Sequence, residues 1–210
     1  MFSKCNNHNS EMWHSRLMTP PANATEADAE DLAALRATAA GDRLAFEQLY
    51  RRHFPRLARF LRRYTERTDL TEDVISKAMW VVWSRAAEFR GESKVSTWIT
   101  GIAYRSMLKA LRDGTQAAEV SEALLPTDFH EAASDGGADR ELRDWIDKGL
   151  RLLPDDLRTT MELAYLLGLS CAEIATVMDC AEGTVKARMF NARLRLRNLM
   201  PALGGMTSAG

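Results

Sequence analysis

From about Glu26 onward, Leu32, Leu35, Leu44, Phe46, Leu49, Tyr50, Leu57, Phe60, Leu61 and Tyr64 recur at three- and four-residue steps, with Gly41-Asp42 as a break. Val74, Ala78, Val81, Val82 and Ala86, bracketed by Trp80 and Trp83, predict a further helix from about Leu70 to Phe89. After the loop "FRGESKVS", Ile99, Ile102, Ala103, Met107 and Leu111 form one face of another, while Arg105, Lys109 and Arg112 form a second face. Spacings near 3.6 gather residues on one side of a helix, whereas a half-buried strand needs alternation at two. No convincing β-alternation occurs, so the fold class is all-α. The pattern lapses from Asp113 to about Asp139, where Gly114, Pro126, Gly136 and Gly137 interrupt it, and returns from Glu141 to Met200, stopping at Pro201. The expected organisation is therefore an N-terminal extension (1–27), a helical domain (28–113), a flexible linker (114–140), a second helical domain (141–201) and a tail (202–210).

The 210-residue chain is nearly neutral, at formal net charge −1, but its charges are segregated. Arg51, Arg52, Arg56, Arg59, Arg62, Arg63 and Arg67 face only Glu66 in their stretch. The interval from Gly114 to Asp139 carries Glu119, Glu122, Asp128, Glu131, Asp135 and Asp139 with no Lys or Arg, which makes the linker acidic. Positive charge returns with Lys186, Arg188, Arg193, Arg195 and Arg197 against Glu182. Basic, acidic, basic: this segregation says more than the near-zero sum.

Several function classes drop out. No apolar run approaches the roughly 18 residues that cross a bilayer, and "MFSKCNNHNSEMWHSRL" lacks a signal-peptide core, so membrane insertion is not expected and the chain reads as cytoplasmic. Cys5, Cys171 and Cys180 are few and odd in number, which suits a reducing compartment. Cys5, His8 and His14 lie in a short polar tract without a second cysteine pair, so no metal site is expected. Cys171 and Cys180 read as small buried thiols, with a redox pairing as the alternative. His53, among arginines, reads as a surface residue. No phosphate-cradling glycine loop, nucleophile motif or paired helical histidines is present, so neither catalysis, a cofactor nor a small-molecule substrate is expected.

The stretch "SCAEIATVMDCAEGTVKARMFNARLRLR" (170–197) carries the strongest local signal. Ser170 and Glu173 form the S-x-x-E capping box, in which each side chain satisfies an orphan backbone donor of the other. A short helix to about Met178 is expected to bury Ile174 and Ala175, with Val177 as a further candidate; "DCAEG" turns the chain, and a longer helix follows from Thr184. There Val185, Met189, Ala192, Leu196 and Leu199 share an inward face while the cations mostly fall elsewhere. Two helices on a tight turn, the second cationic, match a DNA-reading helix-turn-helix; a basic helix alone fits a solvated face equally well, and the capped first helix and tight turn favour DNA. Arginine suits the task because its planar fork binds phosphates and guanine edges with two donors.

Residues 153–200 resemble the C-terminal promoter-binding domain of bacterial sigma-70-type initiation factors, most closely the extracytoplasmic-function (ECF) group. The resemblance rests on Leu153-Pro154, Arg158, Gly168-Leu169-Ser170, Glu173-Ile174-Ala175, Gly183 to Arg188 and Ala192-Arg193. "GDRLAFEQLYRRH" (41–53), "DLTEDVISKAMWVVW" (69–83) and "FRGESKVSTWITGIAYRSMLKALR" (89–112) are similar, in the same order, to the other module of that family. The resemblance implies that helix 69–83 docks on the clamp helices of the RNA polymerase largest subunit through Asp69, Asp73, Ser76, Lys77, Trp80 and Trp83. It implies −10 contacts through Phe89, Lys94, Ser96, Thr97, Trp98, Arg105, Lys109 and Arg112. It implies −35 contacts through Ser170, Glu182, Gly183, Thr184, Lys186, Arg188 and Arg193. Ring stacking and small polar groups in the 89–98 loop would hold an unstacked base, although Phe89 and Trp98 equally fit a core role. Arg195 and Arg197 are expected on phosphate, where contacts position without reading sequence. The linker is expected to thread the polymerase's RNA exit path, and an anti-sigma factor is an expected partner.

The chain departs from the family pattern in places. Ser76-Lys77 stands where Gln-Glu is usual and Met79 where an aromatic is usual, which reverses a charge on the clamp-facing side. Arg105 and Lys109 replace the usual Asn and Asp, making that face more basic. The rival reading is a free-standing helix-turn-helix regulator that binds duplex DNA as a dimer without polymerase.

Overall fold

The computed structural model describes residues 23–118 and 145–204. It divides into two compact units, Met1–Glu122 and Ala123–Gly210. Among the described residues every regular element is helical. The expected metal-free cluster Cys5/His8/His14, the acidic run from Glu119 to Asp139 and the end of the tail lie outside the described residues.

The first unit comprises α1 (Asn23–Ala39), α2 (Arg43–Leu61), α3 (Thr68–Arg85), a 3-10 turn (Ala86–Glu88) and α4 (Val95–Ala118). Gly41, at φ +91, turns the chain after α1. Asp42 then caps α2 in an extended conformation, its Oδ1 accepting from the amides of Leu44 at 2.8 Å and Ala45 at 3.2 Å. One arc of each helix closes the core. Leu35 comes from α1, and Leu49, Leu57, Phe60 and Leu61 from α2. Val74, Ile75, Ala78, Met79 and Val82 come from α3, and Ile99, Ala103 and Met107 from α4. Leu44 shares the apolar spacing of this set but is 71% exposed. It sits one residue before Ala45, about 100° around the helix from the buried arc. Pro55 lies inside α2 on its exposed side.

His53 corrects the sequence reading, because it is buried rather than on the surface. It falls four residues after Leu49, on the arc that faces α1. Its Nε2 lies 2.9 Å from Oδ2 of buried Asp31, while Arg52 donates to Asp31 Oδ1 at 2.7 Å and to Glu30 Oε2 at 2.8 Å. Burial alone would raise the Asp31 carboxyl, but His53 and Arg52 outweigh it and hold the group below its ordinary value. This network ties α1 to α2.

Three boundaries differ from expectation. Helix α1 begins at Asn23, inside the stretch assigned to the extension, and α4 runs through Gly114 to Ala118, into the stretch assigned to the linker. An interior glycine costs about 1 kcal/mol of helix propensity but does not force a stop. In the second unit the last helix passes Pro201 and ends at Gly204, since a proline in the final turns removes only one backbone bond.

The second unit has a helical segment over 145–151, then α5 (Asp155–Leu166), α6 (Cys171–Met178) and α7 (Glu182–Gly204). The capping box is present. Glu173 N donates to Ser170 Oγ at 3.3 Å, and Ser170 N donates to Glu173 Oε2 at 2.8 Å. Asp179 ends α6 in the left-handed region at φ 52, ψ 55, a conformation that Asp tolerates better than most residues. Cys180 N then donates to the Ala175 carbonyl at 3.1 Å. Ile174, Val177, Val185, Met189 and Ala192 are buried, as are Leu157, Met161 and Leu163 of α5, the helix that packs on both α6 and α7. Ala175, Leu196 and Leu199 are only half-buried, as are the thiols of Cys171 and Cys180.

Because the folded Asp31 carboxyl sits below its unfolded value, its contribution to stability is present above the unfolded pKa and lost as pH falls through the folded one. Asp31→Asn should therefore destabilise the first unit by about 1–3 kcal/mol at neutral pH. In urea titrations followed by circular dichroism, the gap should narrow below about pH 4. A gap that stays constant through that range would contradict the pairing.

Candidate nucleic-acid interface

Three exposed surfaces carry the residues singled out by the sequence. The first is on α3. Asp69, Asp73, Ser76, Lys77 and Trp80 are all exposed, and with Trp83 they span about 120° of the helix circumference. The core residues Val74, Ile75, Ala78 and Val82 point the other way, so one helix separates packing from presentation. Trp80 is 68% exposed. Trp83 is half-buried and packs edge-on against Phe46, with ring centroids 5.2 Å apart. The carboxylates of this face are already occupied: Lys77 Nζ meets Asp73 Oδ2 at 2.6 Å, and Arg67 Nη2 meets Asp69 Oδ2 at 2.7 Å. The hydrogen bond from Arg67 holds the Asp69 carboxyl below its ordinary value, and the same bond raises Arg67.

The second surface is the 89–98 loop with the outer side of α4. Phe89 and Trp98 are both half-buried and tilted against each other, centroids 5.3 Å apart. Each thus serves the core and shows an edge. Gly91 turns the loop at φ +73. Lys94 does not project freely, because its Nζ lies 3.1 Å from Asp28 Oδ2 on α1. Ser96 is half-buried, and its carbonyl accepts from Thr100 Oγ1 at 2.7 Å. Thr97 is a correction: its side chain is wholly buried on the inward side of α4 rather than presented at the surface. Beyond the loop, Trp98, Gly101, Arg105, Lys109 and Arg112 follow one another at steps of three and four, and the three cations are exposed.

The third surface is α7, where the structure divides residues that the sequence had grouped. Lys186 is exposed and paired with Glu182 at 2.7 Å, a contact that raises the Lys186 ammonium. Gly183, Thr184 and Arg193 are exposed as well. Two residues on, Arg188 lies on the opposite flank, as any i,i+2 pair on a helix must. Its Nε is 3.2 Å from Asp156 Oδ2 of α5, and its Nη1 donates to Cys180 Sγ at 3.7 Å. Arg188 therefore clasps the recognition helix to α5 and to the turn. Ser170 is occupied by its cap. Sequence reading missed Phe190, which is 66% exposed. It stands four residues after Lys186 and three before Arg193, so Lys186, Phe190, Arg193 and Arg197 make one stripe. The signal lay in the phase of α7: Phe190 is about 140° from Val185 and cannot join the buried arc.

What the arrangement can do follows from these groups. Clustered guanidinium and ammonium groups on two helices bind phosphates, and an exposed ring among them stacks on a base or packs on a thymine methyl. Among the described residues no cluster of His, Cys, Asp and Glu is suited to a metal ion, and no helix is long and apolar enough to cross a membrane.

Comparison with known proteins gives these surfaces a family. The family model "Sigma-70 region 2" matches residues 49–116, and "Sigma-70, region 4" matches residues 143–196. The ECF RNA polymerase sigma factor SigM of Mycobacterium tuberculosis is 34% identical over 173 residues, covering 82% of this chain and 84% of that protein. The ECF RNA polymerase sigma-E factor of Escherichia coli K12 is 31% identical over 176 residues, covering 78% and 90%. The sigma factor RpoE of Bartonella quintana, solved with the anti-sigma factor NepR, superposes with a TM-score of 0.63 at 25% identity, covering 74% of this chain and 96% of that one. CnrH, solved with the cytosolic domain of CnrY, has a TM-score of 0.61 at 24% identity over 82% and 98%, and shares the fold. With both modules present in order and relatives matched along most of their length, the chain belongs to the ECF group of the sigma-70 family of RNA polymerase sigma factors.

Proposed function

We propose that this protein is a dissociable specificity subunit of bacterial RNA polymerase, acting in the cytoplasm without catalysis of its own. The observation that carries the reading is the co-occurrence of a region 2 module and a region 4 module, each with an exposed cationic stripe opposite its core. In this reading α3 docks on the clamp helices of the largest subunit, with Trp80 as the apolar anchor and Asp69, Asp73, Ser76, Lys77 and Trp83 around it. Exposed aromatic side chains at the centre of a contact face are the usual seats of binding energy.

The 89–98 loop and α4 take the −10 element. Phe89 and Trp98 offer ring edges to an unstacked base, Ser96 a hydroxyl, and Lys94, Arg105, Lys109 and Arg112 cations for the strand. Lys94 reaches DNA by exchanging the Asp28 carboxylate for a phosphate. In the second unit α7 takes the −35 element. Glu182, Gly183, Thr184, Lys186 and Phe190 meet base edges or the groove wall, and Arg193 and Arg197 meet phosphate. Arg188 acts by holding the helix in place, and Ser170 by capping its neighbour. The acidic linker occupies the polymerase's RNA exit path, where a negative segment stands in for RNA phosphates. The RpoE–NepR complex supports an anti-sigma partner for this chain too.

Reconstituted transcription tests the reading. Core polymerase with this protein should initiate from a two-element promoter where core alone does not. A protein that represses that promoter and never initiates would instead be the free-standing helix-turn-helix regulator. Trp80→Ala should weaken core binding about tenfold or more, as measured by fluorescence anisotropy, and leave duplex binding by the second unit unchanged. Arg193→Ala should lower −35 affinity and reduce the slope against salt by about one ion, with no change in thermal stability. Arg188→Ala should lower −35 affinity and also destabilise the second unit by no more than about 1 kcal/mol, since its ion pair is partly exposed.

A further inference from the structure

Gly101 is an anomaly on α4. It lies inside a 24-residue helix, where glycine is less stable than alanine, and its backbone conformation does not call for a glycine. It also sits on the outward stripe between Trp98 and Arg105, yet it is buried. What covers it is the Arg105 side chain. A Cβ on residue 101 would meet Arg105 Nη1 at 3.3 Å, Nη2 at 3.4 Å and Cζ at 3.6 Å. Three atoms of one planar group at nearly equal distance mean that the guanidinium lies flat on the helix, over the gap the missing side chain leaves.

From this geometry we infer that Gly101 is a positioning residue for Arg105 in recognition of the melted −10 strand. The inference rests on the proposed assignment of this surface to DNA. Seated on Gly101, the guanidinium is drawn back one turn along α4, towards Trp98 and the 89–98 loop. Among the described residues Arg105 is in no ion pair, so its donors are available to a nucleic acid. An arginine ordered before binding loses less rotamer freedom when it engages a phosphate or a base edge. A methyl group at 101 would crowd the seat and press the guanidinium off the helix by a few tenths of an ångström. The displaced atoms are the far end of a flexible side chain, so the fold would accept the change while Arg105 lost its close fit and gained rotamer freedom.

This predicts an opposition between stability and function that a merely structural glycine would not produce. The full chain is assembled with core polymerase, and its affinity is measured for a promoter fragment whose −10 region is unpaired. Thermal unfolding of the free chain is followed in parallel. Gly101→Ala should raise the melting temperature by a few degrees and weaken fragment binding three- to tenfold. Arg105→Ala should weaken binding by at least as much. The double variant should bind no worse than Arg105→Ala alone, while keeping the gain in melting temperature. Parental affinity in Gly101→Ala beside a weakened Arg105→Ala would overturn the positioning role and leave the DNA assignment intact. A loss in the double variant equal to the two single losses combined would also overturn it. Parental affinity in Arg105→Ala would remove Arg105 from the DNA surface, and the role of Gly101 with it.

Discussion

Each helix here has a single arc to bury, and that constraint organises the protein. In the first unit Phe60, Leu61, Ile75, Val82, Ile99 and Met107 are withdrawn from solvent from three different helices. At about 25 cal/mol for each Å² of apolar surface removed from water, no other contact in the unit competes with this one. With the inner arc committed, the outer arc of the same helix is left to polar and aromatic groups. The period that seals the core also aligns Asp69, Asp73, Ser76 and Trp80 on one line of α3, and Arg105, Lys109 and Arg112 on one line of α4. In the second unit Val185, Met189 and Ala192 do the same for Lys186, Phe190 and Arg193.

Polar contacts refine what burial sets up. The Asp31–His53–Arg52 network joins two helices through a buried carboxylate, an arrangement acceptable only because both neighbours meet it. Arg188 plays a comparable part in the second unit, where Asp156 and the Cys180 sulfur hold its guanidinium. In both cases a basic side chain taken from sequence as a surface or DNA group turns out to serve the fold. The same division applies to Lys94, whose ammonium rests against Asp28.

How far the sequence could be read follows from how local each interaction is. The capping box at Ser170 and Glu173 and the turn at Gly41-Asp42 were legible because their partners lie within a few residues, and the helical period gave Val185, Met189 and Ala192 of the α7 arc but not the half-buried Leu196 and Leu199. The exposed line on α3 was legible for the same reason. Arg188 with Asp156, Lys94 with Asp28 and His53 with Asp31 were not, because each partner lies on another helix and no local pattern announces it. Thr97 and Leu44 failed differently. Both have side chains whose type allows either environment, and a phase shift of one residue decided between them. Phe190 could have been found, had the apolar residues of α7 been sorted by angle rather than by type. The three helix boundaries that moved did so at Gly, Pro and a polar leader, residues that weaken a helix without ending it.

The paired charges on α3 bear on how quickly that face meets a partner. Lys77 with Asp73 and Arg67 with Asp69 cancel one another at close range, so little field extends beyond a Debye length of about 8 Å at physiological salt. Encounter at this face is then governed by unsteered diffusion and orientation, with on-rates of about 10⁵–10⁶ M⁻¹s⁻¹ rather than the far faster values that opposed charge can give. If α3 is the docking face as proposed, the lifetime of the complex rather than its rate of formation would then decide which factor holds the enzyme.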